Sequence, residues 1–253
     1  VQKVEFQSLV GFRFQHFAEP TELRHVFGAR NPKDAGNLAL SGGRDRQAAL
    51  ANRATWSAYL KVPANEWVVG GQTHTSTVQV VGEEQRGHGA LAPTDVLPDT
   101  DGLFTTCRDL PLYVAVADCS AVLLHAPGAL AVVHGGWRGL AKGIMEVAVA
   151  RFIEHGYAAA DLQVGIAPCI AGASYEVGPE VADACPASAK YQGREDRWQV
   201  DIAKWAAAVL LQAGVDPNKL EVSGLDTGSN PDLFSHRRQG VGAGRNGLIA
   251  VLS

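Results

Sequence analysis

Three short segments of the chain interrupt apolar runs with side chains that bind metals or move protons. In Ala117-Asp118-Cys119-Ser120 an apolar run ends on a carboxylate and a thiol. In Val133-His134-Gly135-Gly136-Trp137-Arg138-Gly139 another apolar run delivers an imidazole into a glycine-rich turn before a helical stretch. Gly71-Gln72-Thr73-His74-Thr75 sets a second imidazole between two strand-like runs. Two imidazoles and one thiolate make a good zinc set, and three protein ligands leave a fourth tetrahedral position for water or substrate. Zinc brings the pKa of a water there down to roughly 7. The same soft and borderline donors also hold copper.

The intervals, 44 residues between His74 and Cys119 and 14 between Cys119 and His134, match no compact zinc-finger pattern. A lone cysteine in an apolar run is more often a small buried hydrophobe. The residue types alone therefore leave three readings open. One is a metal centre with an open position. Another is a metal-free hydrolase with Cys119 as nucleophile and His134 or His74 as its base. The third is a metal-binding or partner-binding module without catalysis.

The elements that must carry these residues follow from periodicity. Helices are expected over 46–60, 139–155 and 202–213. In the last, Ile202, Trp205, Ala206, Val209, Leu210 and Ala213 keep an i, i+3, i+4 stripe. Asp201 is placed to cap its first turn and Gly214 to end its last. Strands are expected over 66–70, 77–82, 112–118, 121–126, 129–134, 162–167, 219–223 and 247–252. Runs such as Tyr113-Val114-Ala115-Val116-Ala117 are apolar throughout, as in strands covered on both faces. Pro127-Gly128 reads as the turn of a hairpin joining 121–126 to 129–134, which brings Cys119 and His134 together at its open end. Hairpins among helices predict an α/β (α+β) fold, a single domain over 1–253 with a mixed β-sheet flanked by helices.

Composition narrows the function classes. At 253 residues a chain buries roughly three quarters of its unfolded surface, so one domain needs no staples. It is 46% hydrophobic and 19% charged, ordinary values that argue against disorder and membrane classes. No apolar run approaches the roughly 20 residues of a membrane span, and residues 1–17 mix charges among hydrophobics, unlike a signal peptide. The net charge of −4 and the lack of basic clusters beyond pairs such as Arg237-Arg238 argue against a nucleic-acid partner. Cys107, Cys119, Cys169 and Cys185 form no Cys-x-x-Cys pair, which reads as reduced thiols in a cytoplasmic protein. Composition leaves monomer and dimer equally open.

Segments 66–81, 101–138 and 234–245 together resemble the laccase-domain family, also described as polyphenol oxidase, YfiH-like or purine nucleoside phosphorylase. The resemblance rests on Gln72-Thr73-His74, Asp101-Gly102, Ala117-Asp118-Cys119 and His134-Gly135-Gly136-Trp137-Arg138-Gly139. Ser174-Tyr175-Glu176-Val177-Gly178-Pro179-Glu180 and Phe234-Ser235-His236-Arg237-Arg238 extend it. The chain departs from the family pattern in the tail, where a usual cysteine is missing from Leu225-Asp226-Thr227-Gly228-Ser229 and an acidic position is Gln239.

The resemblance implies that His74, Cys119 and His134 are the metal-binding and catalytic set. It further implies a zinc-dependent purine nucleoside phosphorylase acting on a small-molecule nucleoside and phosphate, with adenosine deamination as a related activity. Phosphorolysis needs a phosphate anchor, for which arginine forks suit best; Arg30, Arg237, Arg238 and Arg245 are the candidates, with Arg53 behind them. Arg138, at a helix start, is expected to be structural. Asp118, beside the thiol, is expected to orient a ligand histidine or handle a proton. The alternatives are a metal-free Cys119 amidohydrolase acting on peptidoglycan precursors and a copper-dependent polyphenol oxidase. A multi-copper relay fits poorly, because the eight histidines include no His-x-His and the single methionine, Met145, falls in an expected helix. Tyr175 could stack on a base, and Trp137 is expected to pack the turn. His16, His25, His88, His125 and His155 are expected to be ordinary polar or strand-end residues, and Cys107, Cys169 and Cys185 structural thiols.

Overall fold

The apolar strands predicted to be covered on both faces are covered on both. The structure, a computed structural model, describes residues 1–17, 22–31 and 35–253. Its class is the expected mixed α/β, but the strands form two six-stranded mixed sheets and a small third one. The first sheet runs β1 (Gln2–Phe6), β2 (Leu9–Arg13), β3 (Leu23–Gly28), β15 (Asn246–Leu252), β7 (Leu112–Val116), β4 (Val68–Val69). The second runs β14 (Leu220–Val222), β10 (Gln163–Ile166), β8 (Ser120–Ala126), β9 (Ala129–Gly135), β6 (Gly102–Thr105), β5 (Val78–Val80). Pairing is antiparallel through both centres and parallel at β4–β7, β10–β14 and β5–β6. The third sheet joins β11 (Glu176–Val177), β13 (Trp198–Val200) and β12 (Lys190–Gln192).

Strand alternation explains why two sheets form. Leu112, Val114 and Val116 of β7 and Leu248, Ala250 and Leu252 of β15 pack with Ala121 and Leu123 of β8 and Leu130 and Val132 of β9, so the two sheets share one core. The outward residues Tyr113, Ile249 and Val251 pack with Trp56 and Leu60 of α1 (Arg46–Leu60). On the far side Val122, Leu124, Ala131 and Val133 pack with Ile144, Ala148 and Phe152 of α3 (Ile144–Glu154) and Trp205 and Leu210 of α5 (Ile202–Gln212). The layers are thus helix, sheet, sheet, helices.

Asp201 caps α5 as expected, its side chain accepting from the Lys204 N–H, and Gly214 follows the helix at φ +98°. The helix predicted over 139–155 is two, α2 (Trp137–Ala141) and α3, because Gly143 adopts φ +82° between them. Gly139 permits the close approach of α2, since a Cβ there would lie 3.0 Å from the Thr75 carbonyl. Two short helices, α4 (Pro179–Ala182) and α6 (His236–Gln239), complete the set. No helix among the described residues is long and apolar enough to cross a membrane.

Candidate metal centre

The β8–β9 hairpin pairs Ala126 with Ala129 across Pro127-Gly128 and Ser120 with Gly135 at its other end. That register puts Cys119 and His134 at the open end, as the sequence predicts. His74, from the loop between β4 and β5, meets them there. One ligand atom from each of the three lies within 4.8 Å of the others. The His74 Nε2 stands 4.0 Å from Cys119 Sγ, and the two rings meet edge to face with centroids 4.9 Å apart. Tetrahedral zinc ligands at bond lengths of about 2.0–2.3 Å stand roughly 3.3–3.8 Å apart. The donor set therefore fits zinc with a contraction of at most about 1.5 Å. Gly136 makes room for it: a Cβ there would lie 2.6 Å from His74 Cδ2 and 3.0 Å from Cys119 Sγ.

One buried carboxylate holds the His134 ring and the His74 backbone. Asp101, fully buried ahead of β6, accepts from the His134 ring at 2.7 Å, through Nδ1 and Oδ1. It also accepts from the backbone N–H groups of Thr73, His74 and Thr75 and from the Thr75 hydroxyl. With Nδ1 committed to Asp101, the free nitrogen of His134 is Nε2. His74 sits at φ +64°, in the left-handed region that a non-glycine residue enters at a cost. The Asp101 bonds to residues 73–75 hold it there.

The charges agree with the geometry. Burial works against ionising Cys119, but His134 and His74 more than offset it, and the thiol is pulled down to about 6. Burial likewise opposes the His134 cation, and the Cys119 thiolate and Asp101 more than compensate, raising it to about 9. Asp101 falls to about 2: burial opposes its charge, and the bonds from His134 and Thr75 outweigh that. Without a cation the site is a thiolate–imidazolium pair backed by a carboxylate. With one, it is a thiolate and two neutral imidazoles.

The donors lie in a cavity of about 570 Å³, whose wall includes Gln72, Asp118, Trp137, Tyr175 and His236. Of the expected phosphate candidates Arg237 and Arg245 line it, and so does Arg138, expected to be structural. Arg138 lies over the Trp137 ring at 4.2 Å and Arg237 over Tyr175 at 4.9 Å. Arg238 is turned elsewhere, donating to the Asn230 and Leu233 carbonyls. Arg30 donates to the Pro231 carbonyl, and neither it nor Arg238 is among the lining residues.

The carboxylate that orients a ligand-set histidine is Asp101, where the sequence reading looked to Asp118. Asp118 instead accepts from the Thr227 hydroxyl at 2.6 Å and the Arg237 N–H at 2.7 Å, with its backbone at φ +90°. It thereby ties Cys119 to the first turn of α6, while the Arg237 guanidinium donates to the Glu176 carbonyl. The tail departures have roles in this network. Thr227 supplies the bond to Asp118, and the Gln239 amide oxygen accepts from the Ser235 N–H. The only sequence signal for Asp101 was its place in Asp101-Gly102; its partners lie 26 to 33 residues away along the chain.

Residues 22–253 match the family model described as multi-copper polyphenol oxidoreductase laccase. The chain is 33% identical over 206 residues to a protein named purine nucleoside phosphorylase YlmD from Bacillus subtilis, covering 78% of this chain and 74% of that one. It is 29% identical over 253 residues to a protein named adenosine deaminase RL5 from an unknown prokaryotic organism, covering 90% and 94%. In structure it is similar to the hypothetical protein YfiH of Bacillus licheniformis, with a TM-score of 0.89, 26% identity and 97% of each chain covered.

Proposed function

Since the chain belongs to the multi-copper polyphenol oxidoreductase laccase family, and since its described residues gather one group of three donors, room for a single ion, we propose that it is a zinc-dependent purine nucleoside phosphorylase. The observation that carries the proposal is the His74–Cys119–His134 set backed by Asp101, beside a cavity lined with arginine and aromatic side chains. The relative named purine nucleoside phosphorylase supports the substrate class. In this reading the whole chain is one enzyme domain, and His74, Cys119 and His134 hold the ion.

Held by His74, Cys119 and His134, a zinc ion would supply Lewis-acid polarisation. The protein's own side chains do the rest. A phosphate oxygen bonds to the pentose C1′ as the bond from C1′ to the purine N9 breaks, and the leaving purine takes up a proton. The transition state gathers negative charge on phosphate and purine around a cationic sugar. Arg237 and Arg245, with Arg138, set guanidinium charge in the metal cavity against the negative charge that develops there. The faces of Trp137 and Tyr175 offer stacking for the base. Asp118 is a positioning residue, fixing Arg237 relative to Cys119 through its bond to the Arg237 N–H.

A second reading has its own observation. Cys119, His134 and Asp101 also form the thiolate, imidazole and carboxylate of a cysteine hydrolase. The relative named adenosine deaminase points to a third outcome at the same site. Product analysis separates them. The proposal expects base release from inosine that requires phosphate and yields ribose 1-phosphate. Release of ammonia from adenosine without phosphate would replace it with deamination. Amide cleavage that survives metal removal would replace it with the cysteine hydrolase.

A further inference from the structure

Next to the metal cavity lies a second, smaller one of about 190 Å³, and the two share Ala39, Ser41, Gln72 and Ala115 as walls. Its polar content is unusual. Arg53 of α1, 3% exposed, lines it and donates to the carbonyls of Leu38, Gly89 and Ala90. The guanidinium lies against the rings of Trp67 and Tyr113 at 5.3 and 4.9 Å. Among the described residues no carboxylate pairs with it. The Tyr113 hydroxyl, on a residue 1% exposed that lines the same cavity, meets the Arg53 guanidinium but has no acceptor for its own proton.

Buried charges and hydroxyls are normally paired, because leaving either unmet costs the desolvation of the group. Here a buried cation has no counter-charge and a buried hydroxyl has no acceptor. Both are satisfied by one kind of ligand, an anion that also accepts hydrogen bonds. The wider field has the same sign: Arg245 and Arg44 act electrostatically on the Tyr113 hydroxyl along with Arg53. Arg44 bonds to the Ser41, Val241 and Ala243 carbonyls and Arg245 to those of Ala243 and Gly244, and neither has a carboxylate partner among the described residues. Walls such as Val69, Val96 and Pro93 are apolar, so an anion seated there would be shielded from water.

We propose that this second cavity is an oxyanion subsite built on Arg53 and the Tyr113 hydroxyl, and that it takes the phosphoryl group of a substrate of the adjoining metal centre. Naming that group as inorganic phosphate rests on the phosphorolysis reading; the preference for an oxyanion does not. The same chemistry would take the 5′-phosphate of a nucleotide, and the test separates the two sources.

Thermal stability of the protein as isolated is measured against increasing inorganic phosphate, nucleoside 5′-monophosphate and free hypoxanthine, for wild type, Tyr113→Phe and Arg53→Lys. Tyr113→Phe removes a buried hydroxyl that has no acceptor, so its ligand-free stability stays close to that of wild type. The proposal expects saturable stabilisation by phosphate whose half-point rises about tenfold or more in Tyr113→Phe, the loss of one charge-assisted hydrogen bond. A Tyr113-dependent response to the nucleotide alone would keep the subsite and name the nucleotide as its source. Phosphate and nucleotide responses unchanged in Tyr113→Phe would overturn it, as would saturation by hypoxanthine with none by either phosphate. No nucleoside is needed, so Tyr113-dependent phosphate binding in a protein that fails to cleave inosine would sink phosphorolysis and leave the subsite standing.

Discussion

The β8–β9 hairpin has a pair of histidines near each end, and the two pairs are chemical opposites. At the open end His134 and His74 share Asp101 and face the Cys119 thiol, with the His74 backbone held at φ +64°. Near the turn His125 of β8 faces His25 of β3 across the inter-sheet core. His25 stacks on Phe14, and both rings meet the edge of Phe17. His25 accepts one bond from the Phe14 N–H, while its Nδ1 and both His125 nitrogens are buried without partners. Burial first, then Arg13 and His125, depress His25 to about 3, whereas His134 is raised to about 9. Two close, buried imidazoles are thus not a site in themselves. A carboxylate behind one ring and a thiolate in front of it turn the open-end pair into a cation cradle; aromatic neighbours keep the other pair neutral.

Removing the carboxylate should erase most of that difference. Asp101→Asn is expected to lower metal affinity by about 10–100-fold, read by chelator competition, because His134 loses its oriented ring and the 73–75 loop loses an anionic acceptor. An unchanged affinity would mean that the donors hold their geometry unaided.

The thiol gives the next test. Thiolate absorbance of metal-free protein should rise with pH through a midpoint near 6, well below the ordinary value of 9, since a lowered pKa favours the anion. In His134→Gln the midpoint should climb back toward 9. A wild-type midpoint near 9 would contradict the pairing.

The smallest effect belongs to the neutral pair. His25 has a folded pKa near 3 against 6.5 unfolded, so below 6.5 the unfolded chain takes up a proton that the native state refuses. Stability should therefore fall as pH drops from 6.5 toward 3, with a slope of at most about 1.4 kcal/mol per pH unit from this residue. His25→Gln should flatten the slope in urea titrations across that window. A slope that the substitution leaves untouched would place the acid sensitivity elsewhere.

The sequence was legible where periodicity and turn chemistry agreed. The hairpin, α1 and α5 were predicted to within about two residues, and the hairpin alone brought Cys119 beside His134. The N-terminal strands were not predicted. β1 is an exposed edge whose Lys3 and Glu5 blur the alternation, and β3 carries a half-buried Arg24 and a buried His25 amid its apolar residues. The broken helix went unseen because residues 139–155 are apolar on one face on both sides of Gly143, and only its φ of +82° separates α2 from α3. At the site, residue type and strand-end position singled out His74, Cys119 and His134. Asp101 and Arg138 were missed because their roles depend on contacts remote in sequence. Arg238 was picked for its type, and its guanidinium serves loop carbonyls instead.

The most direct test of the account is metal content measured together with product formation from inosine and phosphate, on the same samples of wild type and Cys119→Ala. The account predicts about one zinc per wild-type chain, with phosphate-dependent hypoxanthine release, and both lost in Cys119→Ala. Cys119→Ala that keeps its zinc and its turnover, or wild type that is fully active after exhaustive chelation, would contradict it.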